Sequence, residues 1–124
     1  MEKNVVNWFE IPVSDFERAK KFYTEVIGAE LMDLEMPGSQ MSAFKWVEGG
    51  EHATGALVKA EGYEPSDKGT VVYFSCADDL NNELAKVEPA GGKVLLPKTS
   101  IGEHGFIAQF IDSEGNRVAL HSIR

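Results

Sequence analysis

The chain is poor in cysteine, in clustered positive charge and in long apolar runs, and each shortage removes a class of function. Its one cysteine, Cys76, has no internal partner for a disulfide. It lies in an apolar, strand-like stretch with no basic neighbour to favour the thiolate, so the expectation is a reduced, buried thiol in a cytoplasmic protein, not a nucleophile. Twelve Lys and Arg face twenty Asp and Glu, a formal net charge of −8, and the basic residues come singly or in pairs. Neutralising a phosphate backbone needs them clustered, which argues against nucleic acid as a partner and leaves the acidity to solubility. No segment approaches transmembrane length, and the opening MEKNVVNWFEIPVSD has neither an apolar core nor a cleavage-site pattern, so no membrane association and no export are expected. There is no Walker loop, dinucleotide fingerprint or G-x-S-x-G, and the glycine pairs sit at turns, so no nucleotide or phosphate cofactor is indicated.

What remains is an ordinary globular composition, 43% hydrophobic and 26% charged over 124 residues, enough for one core. Val5 to Val13 alternates as a strand, with Phe9, Ile11 and Val13 on one face and Trp8, Glu10 and Pro12 on the other. Ser14 and Glu17 form a capping box for a helix whose apolar stripe is Phe16, Ala19, Tyr23, Val26 and Ile27 and whose stop is Gly28. Strands follow over 29–36, 41–48 and 54–59, with turns at Pro37-Gly38-Ser39 and Gly49-Gly50. After a polar linker, 60–69, the same order returns: a strand around Val72, a helix burying Leu80, Leu84 and Val87, a stop at Gly91-Gly92, and strands near 93–98, 106–111 and 117–121. Asp15 to Asp79, Gly28 to Gly92 and Leu31 to Leu95 all lie 64 positions apart, and the repeated order marks a tandem duplication. The expected fold is α+β: two βαβββ modules, 1–59 and 70–124 in a single domain of 124 residues, forming an eight-stranded curved mixed sheet with helices on the convex face. The concave trough is the natural place for a small molecule.

The run Val13-Ser14-Asp15-Phe16-Glu17-Arg18-Ala19-Lys20-Lys21-Phe22-Tyr23 with Gly28, together with Ile111-Asp112-Ser113-Glu114-Gly115-Asn116-Arg117-Val118-Ala119-Leu120, resembles the vicinal oxygen chelate superfamily over essentially the whole chain. That superfamily holds glyoxalase I, bleomycin resistance proteins and extradiol dioxygenases. The resemblance implies, in the metal-dependent members, a divalent cation held by both modules. Its ligand positions fall here on Trp8, Val72 and Ala119, counted from Asp15, Asp79 and Asp112. Indole, isopropyl and methyl groups offer no lone pair to a metal, so the expectation is a branch with no metal ligand and no cofactor.

Two functional classes follow. One is a binding protein that holds a small, planar or apolar molecule against Trp8, with Phe44, Trp46, Phe74, Phe106 and His52 as further contact residues. The other is a lyase- or isomerase-type enzyme in which Glu10, with His121, moves a proton on a carbonyl substrate. Glu10 equally suits a strand salt bridge, and His121 a solvated terminus. A third alternative is glyoxalase-like lyase chemistry on a metal held by Glu10, His52 and His121. A homodimer is expected, because a trough built from two small units leaves apolar rims for a two-fold partner.

Overall fold

The computed structural model describes residues 4–124, and its elements repeat one order twice. The first series is β1 (Trp8–Pro12), α1 (Phe16–Ile27), β2 (Leu31–Met36), β3 (Ser39–Phe44) and β4 (Thr54–Ala60). The second is β5 (Val72–Ser75), α2 (Asn81–Leu84), β6 (Lys93–Ser100), β7 (Phe106–Ile111) and β8 (Arg117–Ser122). The α+β class and the doubled βαβββ order are as expected. The strands, however, form two four-stranded sheets, β1-β4-β3-β2 and β5-β8-β7-β6, instead of one eight-stranded sheet. Side chains fill the seam between β1 and β5, with Phe9 edge-on to Phe74 at 6.0 Å. A single core still serves both sheets, since Ile11, Val13 and Leu57 join Phe110, Val118 and Leu120 in one buried cluster around α1.

Local sequence explains α1 and its correction. Phe16, Ala19, Phe22, Tyr23 and Val26 are buried along one stripe, and Gly28 closes the helix at φ 65°, a left-handed conformation that an L side chain resists. The N-cap is Asp15, whose carboxylate accepts from the Arg18 amide at 3.0 Å, and not Ser14. Glu17 leaves the capping box and pairs with Lys20 at 3.1 Å. The second helix is shorter than its pattern suggests: only Asn81–Leu84 are helical, and turns carry the chain on to Gly91. Two asparagines at its start and Pro89 near its end are weak helix formers, yet Leu80 and Val87 are still fully buried.

The repeat contains a one-residue slip. Core-facing Ile11, Val13 and Leu57 correspond to core-facing Phe74, Cys76 and Leu120, all 63 positions on. Fully buried Tyr23 corresponds to fully buried Val87, which is 64 positions on. The extra residue lies between Cys76 and Leu80, where Asp78-Asp79 replaces the single Asp15. A strand shifted by one residue presents its other face. The counterpart of Trp8 is therefore Val71, not Val72, and fully buried Ala56 corresponds to fully buried Ala119.

A buried polar clasp fixes the end of β7 against the start of α1. Asp112 is 2% exposed and accepts from the Tyr23 hydroxyl at 2.5 Å, the Glu114 amide at 2.8 Å and the Asn116 amide at 2.9 Å. The Asn116 side chain also donates to Asp112 at 3.1 Å and to the Pro12 carbonyl at 2.8 Å. Glu114 accepts from the Ser14 and Asp15 amides at 2.9 and 2.7 Å and from the Arg18 guanidinium at 2.7 and 3.1 Å. Amides freed at a helix start are natural carboxylate donors. Burial pushes the Tyr23 phenol well above its ordinary value, and Asp112 beside it adds to the shift. Burial also raises the Asp112 carboxyl, against its hydrogen bonds. At Glu114 burial acts upward too, but the Arg18, Asp15, Ser113 and Ser14 hydrogen bonds together outweigh it and lower the carboxyl.

Candidate functional site

The faces of the two sheets that point away from the core meet at a trough of about 880 Å³, within the range of small-molecule pockets. From β1 come Trp8 and Glu10, which alternation places opposite the core-facing Phe9 and Ile11. From the second half come Val71, Tyr73 and Ser75, with His121 from β8, while His52 reaches in from the loop before β4. Because β1 and β5 do not hydrogen-bond to each other, core rings also border the cavity. Phe9, Phe44 and Phe74 form a triangle with centroid separations of 5.7 to 6.0 Å, backed by Tyr23 of α1 at 5.6 Å from Phe74. Gly55 makes this floor possible, since a Cβ there would run into the Phe9 carbonyl and the Phe9 ring. Without a side chain at 55, the Phe9 ring can lie across the neighbouring strand.

Glu10 is the polar centre. Its Oε1 accepts from the Tyr63 hydroxyl at 2.6 Å and its Oε2 from the Trp8 indole at 3.3 Å. A carboxylate has about four acceptor positions, and donors among the described residues fill two of them, leaving room for a ligand. Trp8 is 39% and Tyr73 46% exposed, so both rings offer free surface. His121 is engaged at Nε2 with the His104 carbonyl at 2.7 Å, and the described residues contain no hydrogen bond between it and Glu10.

The candidate contact residues divide. Trp8, Glu10, His52, Phe44, Phe74 and His121 all border the trough. Trp46 does not: it stands 61% exposed after β3. Phe106 does not either, since it packs on the core with the Lys98 ammonium 4.4 Å above its ring. Of the residues at the expected metal positions, Trp8 and Val72 border the cavity, as does Val71, while Ala119 is buried beside Tyr73 in register. Either valine leaves the second position without a lone pair, so these residues do not fit a divalent cation. Among the described residues no three His, Cys, Asp or Glu side chains are grouped to hold one; Glu10, His52 and His121 share the trough without converging on a point. Cys76 lies on the core side, its thiol pushed up to about 12 by burial and, secondarily, by Glu83.

Sequence reasoning missed Tyr63, Tyr73 and Gly55. Tyr63 sits in the polar linker, where a lone aromatic was the available signal. Tyr73 was hidden by the register slip, and Gly55 inside a strand pattern is itself a mark of close backbone approach.

Comparison with known proteins gives a consistent result. Residues 5–120 match the family model described as Glyoxalase/Bleomycin resistance protein/Dioxygenase superfamily. A glyoxylase-like domain-containing protein of Didymella fabae is 32% identical over 123 residues, covering 93% of this chain and 91% of its own length. A Mycobacterium bovis protein with the provisional name glyoxylase CFP32 is 28% identical over 92% of this chain, which spans only 44% of that relative. Among solved structures, TnmS3, an antibiotic binding protein from Streptomyces, superposes with a TM-score of 0.63 at 27% identity over 98% of both chains. No helix among the described residues is long and apolar enough to cross a membrane.

Proposed function

The chain belongs to the glyoxalase/bleomycin resistance protein/dioxygenase superfamily, and we propose that it is a metal-free member that binds a small aromatic or apolar molecule in the trough. The observation that carries this reading is the cavity itself: an aromatic floor of Phe9, Phe44 and Phe74, an exposed Trp8 indole and one carboxylate with open acceptor positions. The antibiotic binding relative supports a binding role over a catalytic one. Proton transfer by Glu10 and His121 is the weaker reading, since His121 is tied to the His104 carbonyl. Cys76, buried and unpaired, suits a reducing cytoplasm.

Elemental analysis of the purified protein tests the first half, with less than about one-tenth equivalent of divalent metal expected. Tryptophan fluorescence in a Trp46→Phe background, titrated with small aromatic compounds, tests the second. In that background Trp8 is the one remaining tryptophan, so saturable quenching by a compound supports binding beside it. Stoichiometric metal lost on Glu10→Ala, or no quenching by any compound, would overturn it.

We also infer a homodimer. Met32, Leu34 and Met36 lie on one face of edge strand β2, exposed at 63, 38 and 48%, an apolar strip that a second copy can cover. Sedimentation at tens of micromolar, on the order of weak-complex dissociation constants, should show twice the monomer mass. A monomer there would count against it.

A further inference from the structure

We infer that the trough selects positively charged aromatic molecules: a planar ring system carrying a protonated amine or a quaternary ammonium, seated with its cation at Glu10. This rests on the trough being a small-molecule site and goes further by assigning the charge of what it takes.

The lining is uneven in charge. Among the described residues Glu10 is the single acidic side chain bordering the cavity and no Lys or Arg borders it; the imidazoles of His52 and His121 are the only described groups there able to add positive charge. A site for carboxylates, phosphates or phosphonates needs guanidinium, ammonium or clustered amide donors, and the described residues of this lining supply neither of the first two. Lys68 and Arg117 border a separate cleft of about 210 Å³ that shares Glu10, and both are already engaged. Lys68 pairs with Asp67 at 3.1 Å. Arg117 donates to the Asp67 carbonyl at 3.1 Å and to Gln109 at 3.2 Å.

The neutral lining points the same way. Trp8, bonded to the carboxylate, and Tyr73, bordering the same trough, present exposed ring surface, and an aromatic face attracts a cation through its quadrupole, most strongly for indole. Tyr63 and the Trp8 N–H hold Glu10 in place by donating one hydrogen bond to each oxygen. The carboxylate is thereby oriented without being neutralised, since neither donor is charged. An ammonium can take the remaining acceptor positions and sit against the indole, while its ring system rests on the Phe9, Phe44 and Phe74 floor. The formal charge of −8 adds a long-range bias toward cations at low salt.

The test uses three probes of one shape at pH 7: 9-aminoacridine, which is a cation there, neutral acridine, and anionic acridine-9-carboxylate. Each is titrated against the full chain carrying Trp46→Phe, with Trp8 fluorescence as the readout. The cation should bind about tenfold or more tighter than the anion at low salt, the ratio expected of a charged hydrogen bond with ring contact. Raising the salt should narrow that gap, a comparison that needs no further variant. In Glu10→Gln the ratio should fall toward one, circular dichroism confirming the fold. Equal binding of cation and anion, a preference for the anion, or a cation preference that survives Glu10→Gln would overturn the charge assignment while leaving the trough as a site. Failure of all three probes, neutral acridine included, would overturn the binding reading itself.

Discussion

Two carboxylate centres lie at opposite ends of the energetic scale in this protein. In the clasp, Asp112 and Glu114 are enclosed, and backbone amides, a phenol, an amide side chain and a guanidinium of the same chain occupy their oxygens. In the trough, Glu10 is solvent-facing and has two donors among the described residues, both neutral. The contrast separates carboxylates bound into the fold from one left open to solvent. A carboxylate whose lone pairs are all taken by its own fold can only stabilise that fold. One that is oriented but incompletely occupied is available to something outside it.

The most severe way to break the clasp is Asp112→Ala, which strands the Tyr23 hydroxyl, the buried Asn116 amide and the part-buried Glu114 amide. We expect a loss of about 3 to 5 kcal/mol in urea denaturation, the cost of dismantling a buried polar network. Tyr23→Phe removes a single donor and should cost about 1 to 3 kcal/mol by the same measurement. A loss below the error of the method in both variants would deny the clasp its structural role.

Acid should distinguish the two centres next. Glu114 has a carboxyl held below its ordinary value, so its stabilisation is complete above the unfolded carboxylate pKa of about 4.3 and is lost as the pH falls through the lowered folded value. Glu114→Gln should therefore be less stable than the parent at pH 7, with the difference shrinking toward pH 3; a difference that grows on acidification would reverse the sign assigned here. The smallest stability effect belongs to Glu10→Gln, within about 0.5 kcal/mol as for an exposed surface change. The same variant should weaken a bound polar ligand by about 1.5 to 3 kcal/mol, read from the ligand-induced shift in melting temperature. A lowered melting temperature with the ligand shift intact would move Glu10 into the structural class.

Local pattern carried most of the fold. The alternation of Phe9, Ile11 and Val13, the stripe of α1 and the stop at Gly28 are short-range signals, and each is realised. The trough could be read for the same reason, because Trp8 and Glu10 had to face away from that core. What escaped depended on distant partners. Asp15 replaces Ser14 as the cap because the Ser14 and Asp15 amides are claimed by Glu114, about a hundred residues away. The extra residue at Asp78-Asp79 disguised the phase of the repeat, so Val72 was matched to Trp8 when the strand faces match Val71. Trp46 and Phe106 carry the same apolar signature as Phe44 and Phe74, but Trp46 lies in the exposed loop after β3 and Phe106 packs on the core in phase with Ala108 and Phe110.

The clasp also bears on the order in which the molecule assembles. Those of its bonds that cross between the two halves join positions 89 to 104 residues apart, so nearly the whole chain must be gathered before any of these forms. Contacts of such separation are made late, after the local hairpins of each half and the helix have already reduced the search. Substitutions in the clasp should then leave the folding rate almost unchanged and appear in the unfolding rate, as for residues unformed in the transition state. Stopped-flow chevrons of Tyr23→Phe would show this as a raised unfolding limb beside an unmoved folding limb. The hydrogen bonds that tie the two halves together would thus govern how long the native protein lasts more than how quickly it arises.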